Sequence, residues 1–175
     1  MDSPEVRALA AALADRYGTR DPMRICAGEG VDVLIRNDFK RQKGAFALVC
    51  GQPFVFLNGA LPEEGLRLVC AHELGHALLH REDRFLADAD LFGREDPRER
   101  EANLFAAELL LSEEEVLALV REGTDAGTMA RILLCPVDLV LIRLGTLRDR
   151  GYALRVPGTA RRGFIARAGD GERFG

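Results

Sequence analysis

The sequence predicts an α+β fold, a small three-stranded, mostly antiparallel sheet packed on one long helix and followed by a helical C-terminal part. Three observations predict it. Short runs rich in β-branched and aromatic residues cluster between positions 31 and 57, helical periodicity with capping signals takes over from Pro62, and no internal repeat or clear linker divides the chain. The expected organisation is therefore one domain over residues 1–155, helical from about residue 112, with a Gly/Arg-rich, partly disordered tail over 156–175.

Residues 3–17 have the pattern of an amphipathic helix. Val31 to Arg36, Ala45 to Cys50 and Phe54 to Leu57 are bounded by glycine, proline and asparagine and are expected as strands. Gly51-Gln52-Pro53 is the expected tight turn of an antiparallel hairpin between the second and third. Pro62, at a position that a first turn tolerates, and the acids Glu63 and Glu64 open a helix expected to reach about Arg81. A loop rich in aspartate and glycine then runs to Pro97, and Arg98 to Leu111 is the next helix. Ser112 and Glu115 have capping-box spacing, which starts a helix over Glu113 to Arg121 that Gly123 breaks. Two further helices, Thr128 to Leu134 and Val137 to Arg150, flank Cys135-Pro136.

Composition narrows the possible functions. With 47% hydrophobic and 30% charged residues in 175, the chain can bury a core. A net charge of -4 provides no global attraction to phosphate. The apolar run Ala8 to Ala14 is surrounded by Asp2, Glu5, Arg7 and Asp15, unlike a secretory signal, and no stretch approaches the ~20 apolar residues of a bilayer span. A cytoplasmic protein without membrane contact is expected. Cys26, Cys50, Cys70 and Cys135 occur singly, with no C-x-x-C pair, and are expected as buried reduced thiols.

His72-Glu73-Leu74-Gly75-His76 matches H-E-x-x-H. On a helix the two histidines lie only ~40° apart and one turn along, so both imidazoles reach one ion. Glu73, ~100° from His72 on the flank of that face, can touch a metal-activated water without displacing it and is the candidate general base. Random placement of 3 His and 15 Glu in this length yields such a pentad roughly 0.4% of the time, so chance is a weak explanation. A third protein ligand is still required. His80 is a poor one, ~80° around and ~12 Å along from His72, and is expected near the site or capping the helix C-terminus. The helix after the loop offers Glu99, Glu101 and Glu108, and the residues alone leave that choice open.

His72 to His80 (HELGHALLH), together with Glu101 to Leu111 (EANLFAAELLL), resembles the ImmA/IrrE family of intracellular metallopeptidases over roughly Asp21 to Gly151. The resemblance implies a zincin-like core and, because the glutamate of the E-A-N run is the family's third ligand, a Zn2+ site formed by His72, His76 and Glu101. Mn2+ or Co2+ suits the same donors. Asn103 is implied to be structurally important. Glu99 is expected in solvent, and Glu108 is a candidate partner for a ligand imidazole. The family's Met-Pro after the double leucine is replaced by Leu111-Ser112, which should alter a helix junction and leave the chemistry intact.

The implied activity is hydrolysis of a specific helix-turn-helix repressor, a separate protein, which makes the chain an antirepressor of a mobile element or stress regulon. His80, Tyr152 or a loop arginine are candidates to stabilise the oxyanion, and the edge of the strand near Phe54 to Leu57 is a candidate to pair with an extended substrate. Two other readings compete. A metal-stabilised protein could sequester a regulatory partner without cutting it, or Thr128 to Arg150 could mimic a helix-turn-helix with Arg131, Arg143 and Arg148 facing phosphate. Asp138 and Asp149 dilute that charge, so no autonomous nucleic-acid binding is expected.

Overall fold

The computed structural model describes residues 3–80, 85–88 and 96–157. It has the predicted α+β architecture: a small mixed sheet on one side of the helix that carries His72 and His76, and a helical C-terminal part. The chain begins with α1 (Ser3–Tyr17), which buries Val6, Ala10, Leu13 and Ala14 at helical spacing. A short helix, α2 (Pro22–Gly28), follows. It escapes the strand and helix patterns because it spans only 7 residues, yet it is well signalled: Asp21 caps it by accepting from the Met23 N–H at 3.0 Å, and Pro22 stands in its first turn.

β1 (Asp32–Arg36), β2 (Gly44–Val49) and β3 (Gln52–Asn58) match the expected strands to within a few residues. The sheet differs from expectation in three respects. The hairpin turns at Cys50-Gly51 and not at Gly51-Gln52-Pro53, because Val49 pairs with Gln52; both turn residues have positive φ, 50° and 84°. Among the described residues a fourth strand, β4 (Phe85–Asp88), lies within the stretch expected as loop and runs antiparallel to β2. The order is β1-β3-β2-β4 with β1 parallel to β3, so β3 is internal. Both its edges are already paired, which removes Phe54 to Leu57 as the place where an extended substrate would add a strand.

α3 (Glu63–Leu79) lies against β2 and β3 and buries every residue from Leu68 to Ala77. α4 (Pro97–Leu110) packs on α3, α1 and α7 (Val137–Asp149), which places it at the centre of the helical layer. Gly75 makes the α3–α4 approach possible: a Cβ there would sit 3.2 Å from Ala102 Cα and 3.2 Å from Phe105 Cδ1. α5 (Glu113–Arg121) starts at the predicted capping box, with Ser112 Oγ accepting from the Glu115 N–H at 3.2 Å. α6 (Ala126–Ile132) precedes α7.

The α4–α5 junction at Leu111-Ser112 is sealed by arginines. Arg20 donates to the carbonyls of Glu108 and Leu109 at 3.0 and 2.9 Å, and Arg143 Nε donates to Leu111 O at 2.9 Å. Arg143 is buried and also pairs with Glu108 at 2.6 Å, so it cannot face phosphate as the helix-turn-helix alternative required. Among the described residues no helix is long and apolar enough to cross a membrane. From residue 158 onward the expected tail lies outside the described residues, whereas Val156 is buried in the core.

Candidate metal centre

The helical spacing of His72 and His76 performs as the sequence suggests. Both side chains are buried, their rings meet edge to face at 4.7 Å, and their Nε2 atoms are 3.0 Å apart. The carboxylate that meets them is Glu99. Its Oε2 is 3.3 Å from His72 Nε2 and its Oε1 is 3.4 Å from His76 Nε2. It is 5% exposed, so the expectation of a solvated Glu99 is corrected.

Glu101, the residue implied as third ligand, is placed elsewhere: its Oε2 lies 3.5 Å from His80 Nε2. The reason is helical phase. Glu99 and Glu101 are ~200° apart around α4, so their carboxylates diverge: Glu99 reaches the His72–His76 pair and Glu101 reaches His80 at the end of α3. Glu99 shares its face with Ala102, which lies against Gly75, and with Asn103, which lies against His72. The sequence contained that signal as the i, i+4 spacing of Glu99 and Asn103, with small Ala102 between them, at the face α4 presents to α3.

Asn103 makes the contact that orients the first imidazole, its Oδ1 accepting from His72 Nδ1 at 3.0 Å. With the proton held on Nδ1, Nε2 is the ring nitrogen turned toward His76 and Glu99. Glu108 is not a partner of either imidazole; it pairs with Arg143 on α7. His80 ends α3, with its Nε2 3.3 Å from the Arg98 carbonyl, and Tyr152 donates its hydroxyl to Glu113 at the start of α5.

The donors fit a divalent cation. Among the described residues, His72, His76 and Glu99 each offer one atom, all within 4.8 Å of one another and all buried. Ligand atoms about 2.0–2.1 Å from a tetrahedral zinc would lie about 3.3 Å apart. The two nitrogens are 3.0 Å apart, and the two oxygens of Glu99 lie 3.3 Å from His72 Nε2 (Oε2) and 3.4 Å from His76 Nε2 (Oε1), separations of that order. Two imidazole nitrogens and a carboxylate oxygen are also the ligand chemistry of zinc sites that keep one position open.

Glu73 is buried one residue after His72 and does not belong to this donor set. Its carboxyl lies beside the first residue of β2: a Cβ built on Gly44 would be 2.9 Å from Glu73 Oε1 and 2.4 Å from Val69 Cγ1. Glycine at this point leaves the space that the carboxyl occupies. The expectation of four buried thiols holds only in part, since Cys26 and Cys70 are buried with their sulfurs 3.9 Å apart while Cys50 is exposed at the hairpin turn.

The family model of the IrrE N-terminal-like domain matches residues 26–130, more than half of the chain and a span that includes both metal-facing helices. The chain belongs to the ImmA/IrrE family. That is a family of metallopeptidases, in keeping with a buried His72-His76-Glu99 cluster. Immunity region protein 2 of Bacillus phage phi105 is a relative, 32% identical over 108 residues that cover 61% of this chain and 68% of the relative.

Proposed function

We propose that this ImmA/IrrE family member is a zinc-dependent endopeptidase in which His72, His76 and Glu99 hold the metal and Glu73 is the general base. The observation that carries the reading is the convergence of these three donors from two helices, with a fourth buried group, Glu73, next to His72 in sequence but outside the donor set. A purely structural zinc site has no use for that carboxylate and more often employs cysteine.

Zinc bound here supplies a Lewis acid that acidifies a water and polarises the scissile carbonyl. The chain's own residues do the rest. Asn103 holds the His72 ring in the tautomer that directs Nε2 inward. Glu73 takes the proton of the attacking water and passes it to the leaving amine nitrogen, so one carboxylate serves as base and then as acid. Its burial beside β2 keeps bulk water from competing for that proton. The donor set also accepts Mn2+ or Co2+.

The proposed substrate is a helix-turn-helix repressor encoded separately, and the proposed setting is the cytoplasm. Membership of the family and a relative from a phage immunity region support an antirepressor acting on a mobile element or stress regulon. The test is co-expression of the chain with candidate repressors encoded beside it, comparing the native protein with Glu73→Gln. Cleavage by the native protein and an intact repressor with a metal-replete Glu73→Gln support the reading. If Glu73→Gln relieves repression as well as the native protein, sequestration without proteolysis replaces it.

A further inference from the structure

His80 is the last histidine of the chain and is not one of the three donors. It stands at the end of α3, and its side chain is nonetheless only 8% exposed. What covers it includes the beginning of α4. The His80 Nε2 is 3.3 Å from the carbonyl oxygen of Arg98 and 3.5 Å from the carboxylate of Glu101. A carbonyl only accepts, so Nε2 carries a proton and donates, and the carboxylate lies within reach of the same N–H.

These two contact points lie on either side of Glu99 in sequence, Arg98 before it and Glu101 after it. All three belong to the first turns of α4, the part of a helix whose leading N–H groups have no intrahelical partner and which opens most readily. The Asp96 cap on the Arg98 N–H, at 2.9 Å, is a local restraint and does not tie the turn to α3. His80 does, from the same helix that carries His72 and His76, one turn beyond His76 with their rings 5.4 Å apart. A pin at that point fixes the distance between the carboxylate and the two imidazoles.

We propose that His80 and Glu101 form a positioning pair that clamps the first turns of α4 onto the end of α3, holding Glu99 in register with His72 and His76 and so setting metal affinity. This rests on the reading of Glu99 as a ligand. Neither residue of the pair touches the ion. The proposal also accounts for a histidine with a largely covered side chain and a carboxylate that the hydrolytic chemistry leaves without a role.

The experiment measures Zn2+ affinity by competition with a chromophoric chelator, and the Co2+ absorption spectrum, for the native chain, His80→Ala, His80→Gln, Glu101→Ala and Glu99→Ala. Loss of a group that orients a ligand lowers metal affinity by about 10–100-fold. His80→Ala is expected in that range with an altered Co2+ spectrum, His80→Gln should regain most of the loss because its amide can donate to the same carbonyl, and Glu101→Ala should lose several-fold. Native affinity and spectrum in His80→Ala, or a lower melting temperature of the metal-free protein as its only change, overturn the proposal. If His80→Ala does not fold, Glu101→Ala decides, and unchanged affinity there overturns it. Glu99→Ala tests the underlying reading separately: native affinity in that variant removes Glu99 as a ligand whatever His80 does.

Discussion

Asn103 Oδ1 lies 3.0 Å from His72 Nδ1, so the first imidazole of the H-E-x-x-H helix is oriented by the helix that follows it. Replacing Asn103 with alanine removes the acceptor that holds the proton on Nδ1 and one of the contacts that orient the ring. Zn2+ affinity should fall about 10–100-fold, while Asn103→Asp, which still accepts from Nδ1, should stay within a few-fold of native. Chelator competition on protein shown to be folded by circular dichroism measures both; equal affinities for Asn103→Ala and the native chain would contradict this account.

Gly44 has a steric role beside Glu73, the proposed base. Because an added Cβ would approach Val69 Cγ1 to 2.4 Å and Glu73 Oε1 to 2.9 Å, Gly44→Ala must displace one side chain or the other. Overpacking of this kind costs about 1–3 kcal/mol of stability. Hydrolysis should fall by at least about tenfold, since a small displacement of a proton-transfer group is costly, while metal content stays native. Chemical denaturation and kcat/KM measured on the same preparation separate the two effects.

A third prediction concerns acid. Glu113 accepts from Tyr152 and Arg150, with Arg143 3.8 Å away, and these partners hold its carboxyl below the ordinary carboxylate value of 4.5. A carboxyl that is more acidic when folded stabilises the protein above its unfolded value, and that contribution disappears as pH falls through the folded one. Glu113→Gln should therefore be less stable than the native chain above pH 4.5, with the gap closing below it. Melting temperatures between pH 3 and 7 test the sign, and a gap that widens in acid would refute it.

Thiol chemistry tests the packing. Cys50 is exposed, Cys135 is partly buried with its thiol pushed up to about 11 by burial, and Cys26 and Cys70 are fully buried. Contact with Cys26 and burial both raise the Cys70 thiol. Titration with an aromatic disulfide at pH 8 should show one rapid thiol, one slow thiol, and two that react only after denaturation. Two or more rapid thiols would contradict the burial pattern.

Most of the fold was legible because its helices carry local signals. The Ser112–Glu115 capping box, Pro62 and the even spacing of Val6, Ala10 and Leu13 act within one or two turns, so sequence alone locates α1, α3 and α5. What was missed depends on partners distant in sequence. β4 follows a helix and pairs with β2 some forty positions earlier, and the parallel β1–β3 pairing depends on topology. At the site, His72 and His76 were legible from spacing within one helix, whereas choosing between Glu99 and Glu101 required the phase of α4 against α3. That phase follows from Ala102 seating on Gly75 and Asn103 on His72, a contact between helices.

The contact between Gly75 and Ala102 limits how far the centre can adapt. There the Ala102 backbone and the Phe105 ring leave no room for a Cβ on Gly75, so the close approach of α3 and α4 depends on glycine at that position. Two imidazole nitrogens and one carboxylate are a poor match for Ca2+, which takes six or more oxygens. A side chain larger than hydrogen at position 75 must therefore push the two helices apart and carry Glu99 away from the imidazoles.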